Sequence, residues 1–380
     1  MTAMTGRPGV HPPWSRSKVE VDPHANLHHL ESFKLPLQSQ SQSPLFSLLP
    51  AEIRDLIYEY TFAEYEDLSS CYHFDTCYRR PDYMAPRKTD TALLRTCQSI
   101  YNDAWYLPWT SAQHTFFLTQ PPRRPAKITT PLEMARACAL IQKLHPDVSD
   151  QRKSIPHAQV FAQLFLIEKG ALENILNTPY FMPRTITITI RHTDIWFWER
   201  DEPIRLGSSW ISRCRFPSSV QKVRVQIESL ERKKEQVDCI TSCMQNEWYF
   251  TRVDDVHLVA TSTASEGWIG SSTWQDKRWI RDEDDREPGV LHFYVVTVNF
   301  RPVERVQDKE GYERRQTFSF ETLNVTSEIA RRTRISSNKV CISTREMTAA
   351  GVQSTTPASE ALRMVLEWHR RSQEATITRH

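Results

Sequence analysis

Apolar residues crowd the stretch from Pro44 to Tyr60, PLFSLLPAEIRDLIYEY. Leu45, Phe46, Leu48 and Leu49 set four apolar side chains within five positions, and Pro50 follows where a first helical residue loses nothing by lacking an N–H. Ile53, Leu56, Ile57 and Tyr60 then recur at spacings of three, one and three and stack on one face, with Glu52, Arg54, Asp55 and Glu59 mainly on the other. The pattern predicts an amphipathic helix led by Pro50, with Glu52 near the positive end of its dipole. Two readings of the apolar face stand at this point. It is the core of a small helical domain, or it is an anchor set for a partner, a reading that Leu48 and Leu49 ahead of the proline keep open.

The same periodicity predicts a helix over Thr91–Leu107 ended by Pro108, then a short strand or extended return at His114–Leu118. Helical spacing also covers 131–144 and 157–176, the latter through Val160, Phe161, Leu164, Phe165, Ile167, Leu172 and Leu176. Alternation then takes over. Arg184–Arg191, RTITITIR, predicts a strand burying Ile186, Ile188 and Ile190, and Val220–Glu228 repeats the pattern with Val223, Val225 and Ile227. A helix over 229–249 follows, then strands at Val256–Thr261, Val290–Phe300 and Thr317–Glu321, and a last helix near 359–371.

The expected fold class is α+β, a small helical module followed by a mixed α/β domain with a sheet of about four to five strands. Residues 1–43, rich in proline and polar residues, predict a disordered arm in which His24, His28 and His29 are solvated. The helical module spans 44–118, a proline-rich linker 119–130, the mixed domain 131–325, and a mostly flexible tail 326–380.

A net charge of +2 implies neither bulk attraction to nucleic acid nor to an acidic membrane, and the arginines of the back half are interleaved with acids. No run reaches the length of a membrane span, and the first residues lack the apolar core of a secretion signal, so an intracellular address, cytoplasmic or nuclear, is expected. The eight cysteines are scattered rather than framed, which predicts reduced thiols.

Leu49, Pro50, Glu52, Ile53, Arg54, Ile57 and Tyr58 together resemble the helix of fungal F-box-like proteins, in particular the two-EXR domain, which reads roughly LP.EIR..IY. Its second half is similar to Leu93, Leu94, Cys97, Ile100, Tyr101, Ala104, Leu107, Phe116 and Phe117. The resemblance covers about Pro44 to Leu118 and departs from a compact F-box in the long connection 64–90. It implies docking onto the Skp-type adaptor of a cullin ubiquitin ligase. On that basis Leu48, Leu49, Pro50, Ile53 and Ile57 are the expected partner-binding residues, and the chain is expected to be a non-enzymatic adaptor for an unknown protein target.

Other constellations carry less. Cys71, His73 and Cys77 offer three zinc ligands where structural zinc takes four, at a spacing that matches no common pairing, so no metal or other cofactor is expected. His192, Asp194 and Glu199 follow a strand, where α/β proteins often place acid–base groups. Yet the chain lacks a G-x-S-x-G elbow and both glycine-rich phosphate loops, and a hydrogen-bonded structural His192 is the plainer reading. Trp196, Trp198, Trp268, Trp274 and Trp279 lie close together in sequence and suggest a target-recognition surface, against the alternative that they cap the sheet.

Overall fold

The computed structural model describes residues 38–144, 154–303, 322–335 and 341–377. Most of the expected arm, with its histidines, and the strand expected at Thr317–Glu321 lie outside the described residues.

The chain opens with helix α1 (Ala51–Thr61) and helix α2 (Gln98–Ala104). It then runs through strand β1 (Gln113–Leu118), helix α3 (Pro131–Leu144) and strands β2 (Ile155–Ala162), β3 (Pro183–Ile190), β4 (Arg215–Phe216) and β5 (Lys222–Leu230). Helix α4 (Lys234–Glu247) leads to strands β6 (Tyr249–Arg252), β7 (His257–Ser271) and β8 (Val290–Pro302), and helices α5 (Thr344–Ala350) and α6 (Ala358–Ile377) close the chain. Eight strands form one sheet in the order β1-β2-β3-β5-β8-β7-β6-β4. The first four are mutually parallel; β8 runs antiparallel to β5, and β7 antiparallel to β8. The fold is mixed α+β, with a sheet larger than the four to five strands expected.

Alternation decides which face of this sheet is dry. Ile186, Ile188 and Ile190 of β3, Val223, Val225 and Ile227 of β5, and Val296, Val298 and Phe300 of β8 point to one side. There Val237, Ile240 and Met244 of α4 join them in the main core. The opposite face carries a ladder of side-chain hydrogen bonds: Gln159 Nε2 donates to Thr189 Oγ1 (2.8 Å), Thr189 Oγ1 to Gln226 Oε1 (2.5 Å), and Gln226 Nε2 to Thr297 Oγ1 (3.1 Å). The 64–90 connection folds over part of that polar face. Tyr83 packs edge-on against Phe161 at 4.9 Å, and Arg80 pairs with Glu228 at 2.9 Å.

Several expectations are corrected. Residues 157–162 belong to β2 rather than to a helix, because Ala158, Val160 and Ala162 alternate with His157 and Gln159, and a short apolar run fits both periods. Helices follow only at Leu164–Glu168 and Ala171–Leu176. The long helix expected over Thr91–Leu107 is broken into Ala92–Arg95, α2 and Leu107–Thr110, with Pro108 sitting inside the last turn. Within the stretch expected to be a linker, Arg123 is buried and donates to the backbone oxygen of Thr193.

The expected flexible tail is helical over much of its described length and has its own core of Ile342, Met347, Val352, Ala361 and Val365. A capping box of Ser343 and Glu346 starts α5, and Gly351, at φ +72, ends it in the left-handed conformation that suits glycine.

A separate apolar cluster holds α1. Tyr58 and Phe62 are buried against Ile100 and Ala104, with Leu93, Leu94, Cys97 and Leu107 packed around them. Phe62→Ala is expected to remove about 3–5 kcal/mol of unfolding free energy in urea titration, the usual cost of emptying a fully buried aromatic site. Leu48→Ala, at an exposed position, is expected to change it by less than about 0.5 kcal/mol.

Candidate docking surface

Two apolar faces compete on α1, and only one is buried. Tyr58 and Phe62 turn inward, so the strip formed by Ile53, Leu56, Ile57 and Tyr60 turns away. Ile53 is 43% exposed, Leu56 48% and Tyr60 83%, while Ile57 is half-buried. Ahead of the helix, Leu48 is 76% exposed, Pro50 is exposed and Leu49 is half-buried. Of the five residues expected to bind a partner, Leu48, Pro50 and Ile53 are exposed, whereas Leu49 and Ile57 are half-buried. Leu56 and Tyr60 are exposed as well, on the face where the same helical spacing already placed them.

Arg54 sets the shape of the shoulder before the helix. Its Nη1 donates to the backbone oxygen of Leu49 (2.9 Å), and its guanidinium lies 5.3 Å from the ring centre of Phe46. The turn Pro44–Ser47 is thereby tied to α1, and the Leu48–Leu49 step is presented beside Ile53. The arrangement presents apolar side chains of the kind that fill a groove.

The other expected site residues lie elsewhere. Trp198, Trp274 and Trp279 are internal, with ring centres 4.4 to 5.9 Å apart, Trp274 stacked on Trp279 and Trp198 tilted against both, and packed with Leu230 and Leu291. Their assignment to a recognition surface is corrected: they are the core under the sheet's end. Trp268 stacks on Phe293 at 4.4 Å, donates its Nε1–H to Glu228 (3.0 Å), and lies over Gly270, where a Cβ would come within 2.6 Å of its ring. Trp196 alone of the five is open, 40% exposed, with Nε1 donating to Glu168 (3.1 Å). Beside it Phe197 is 51% exposed and held at φ +55, a strained conformation for a bulky residue.

His192 and Asp194 are buried, 2% and 4% exposed, and spent on internal partners. Asp194 accepts from Arg191 Nε at 2.5 Å, and His192 Nδ1 lies 3.3 Å from Ser229 Oγ. Glu199 is exposed and lies 3.7 Å from Arg123. Cys71 is exposed with its thiol on the Leu68 carbonyl, His73 Nδ1 accepts from the Asp75 N–H, and Cys77 is half-buried, its backbone oxygen accepting from Arg191. Among the described residues no group of three or more His, Cys, Asp and Glu side chains is placed to hold a metal ion.

Two hollows open on the polar side of the sheet. One of about 700 Å³ is aromatic, lined by Tyr72, Tyr78, Tyr83, Trp109 and Phe117. The other, of about 350 Å³, is polar and includes Arg224, His157, Gln159 and Glu266. This polar face escaped notice in the sequence, although the Thr, Arg and Gln positions that alternate with the buried Ile and Val residues of β3 and β5 marked it.

No family model, no curated protein and no solved structure matches the chain. Among the described residues no helix is long and apolar enough to cross a membrane.

Two histidines give the molecule an acid-sensitive side. Burial, helped by Arg224 and Arg87, pushes His157 down to about 4, and its neutral ring donates from Nδ1 to Gln113 Oε1 (2.7 Å) and accepts from Thr187 at Nε2 (2.8 Å). Burial pushes His192 down to about 3, with Lys233, Arg232 and Arg281 adding to it against the pull of Asp282. Both values lie below the ordinary 6.5, so the unfolded chain binds these protons before the folded one does. Their contribution to stability is complete above about pH 6.5 and lost progressively as pH falls to about 4 for His157 and about 3 for His192. The melting temperature is expected to fall over that window, and His157→Gln to make the fall shallower. An unchanged slope would contradict the assignment.

Proposed function

We propose that this chain is a non-enzymatic protein-interaction adaptor that docks a helical or grooved partner through the outward face of α1. The observation that carries the reading is the exposure of Ile53, Leu56 and Tyr60 on α1, and of Leu48 just ahead of it, while the other side of the helix is buried through Tyr58 and the capping Phe62. Contiguous apolar surface rimmed by polar residues, here Glu52 and Glu59, marks interaction sites on folded proteins. Burying each large side chain of the strip in a groove is worth about 1.5–3 kcal/mol before the costs of association.

The partner we propose is the Skp-type adaptor of a cullin ubiquitin ligase. Support comes from the similarity of Leu49, Pro50, Glu52, Ile53 and Arg54 to the two-EXR helix, and from the packing of residues from both similar stretches into one cluster. For the target side, the open aromatic pair Trp196 and Phe197 is the surface we favour, since Trp198, Trp274 and Trp279 are internal.

Purified Skp-type adaptor titrated with the full chain tests the reading by calorimetry. Ile53→Asp combined with Ile57→Asp is expected to weaken binding at least about a hundredfold, as loss of central apolar anchors does. Binding that the double variant leaves unchanged, or an adaptor that does not bind the parent chain, would overturn it.

A further inference from the structure

Strand β1 stands at one end of the eight-stranded order, so its outer edge has no strand partner among the described residues. Leu118 turns its carbonyl inward, where it accepts from the Gln163 N–H just after β2 (2.9 Å), and Gln113 turns its N–H outward, onto the Glu64 carboxylate (3.2 Å). Alternate residues of a strand aim their backbone groups at the same edge, so the N–H groups of Thr115 and Phe117 point outward with that of Gln113. Among the described residues neither has an acceptor there.

The aromatic hollow of about 700 Å³ runs round this edge. Gln113, Thr115 and Phe117 line it, the 64–90 connection walls it with Tyr72, Tyr78 and Tyr83, and α3 closes it with Ala137 and Leu140. Tyr72 and Tyr78 meet edge to face at 5.2 Å, and Phe117 stacks on Phe161 at 5.1 Å, so much of the wall is held by other rings. Burial pushes the hydroxyls of Tyr72, Tyr78 and Tyr83 above the usual tyrosine range, and the wall therefore brings no negative charge near neutral pH. A hollow of this size, mainly aromatic and with a few polar groups, suits a small molecule.

The charges round the hollow decide which kind. Its lining holds three cations, Arg87, Lys127 and Arg136, against two acids, Glu64 and Glu133. Both acids are engaged. Glu64 accepts from Arg87 Nη1 (3.2 Å) as well as from Gln113, and Glu133 accepts from the N–H and the hydroxyl of Thr130 (2.9 and 2.8 Å). Lys127 and Arg136, both exposed, have no carboxylate partner among the described residues, and the enclosed Nε–H of Arg87 has no acceptor among them. What the lining has to spare is positive charge and hydrogen-bond donors.

We infer that this hollow binds a small planar aromatic acid, with its ring against the tyrosine wall and its carboxylate or phosphate at the Lys127–Arg136 rim. The edge of β1, which already donates to one carboxylate at Gln113, offers further donors in Thr115 and Phe117. A cationic ligand fits less well: the ring faces would attract it, but both acids are spent and the rim repels it. The inference goes beyond the α1 docking reading and does not depend on it.

Ligand-observed NMR titration of the full chain with 2-naphthoate, 2-naphthamide and 2-naphthylmethylammonium tests it, since the ring is constant and only the charge changes. The carboxylate is expected to bind at least about tenfold more tightly than the ammonium ion, with the amide between them. Lys127→Glu/Arg136→Glu, made at exposed positions, is expected to keep the parent melting temperature and to abolish that preference. Tyr78→Ala is expected to weaken all three compounds about threefold to tenfold, whereas Tyr78→Phe, which keeps the ring, should leave them within about twofold of the parent. An ammonium ion that binds most tightly, a charge preference retained by the doubly reversed chain, binding unchanged in Tyr78→Ala, or no binding of the carboxylate at millimolar concentration would each overturn the inference.

Discussion

A helix of eleven residues with apolar side chains on more than one side can bury only one of them, and on α1 the choice falls to Tyr58 and Phe62. Two fully enclosed aromatic rings against Ile100 and Ala104 outweigh what the aliphatic strip would gain by turning in. Once that packing is set, Ile53, Leu56 and Tyr60 have nowhere to go but outward. The proposed docking role follows from this orientation and would disappear with it.

The sheet shows the same two-sidedness. Its dry face is packed by α4, while its other face is a hydrogen-bonded lattice of Thr, Gln and His side chains partly roofed by the 64–90 connection. Buried ion pairs fasten the segments that meet at its end. Arg278 and Glu283 pair at 2.6 Å with both side chains fully enclosed, and Arg278 also donates to the backbone oxygens of Gln353 and Thr356, tying the turn between the C-terminal helices to the short strand Lys277–Arg278. Such pairs gain little over apolar packing, but breaking one strands a buried charge, so they act as registers for how loops dock.

Much of this was legible in order and little of it in orientation. The Ile–Thr alternation of Arg184–Arg191 and the Val pattern of β5 announced strands with their buried faces correctly, because a period of two leaves one choice of side. The periodicity of α4 was equally plain. Orientation failed where a residue type fits both settings. Tryptophan suits an interface and a core alike, and only three-dimensional stacking shows Trp198, Trp274 and Trp279 to be core. The apolar face of α1 was visible, but which of Ile53 or Tyr58 would be dry depends on contacts some forty residues downstream.

The orientation of α1 is tested most directly by thiol labelling of the native chain, with the modified positions located by peptide mass mapping. Single cysteines at 53 and 56 should react with maleimide nearly as fast as in the unfolded chain, and a cysteine at 62 should be protected until global unfolding. Protection at 53 and 56 together with free reaction at 62 would show the helix turned the other way, and the docking surface would not exist.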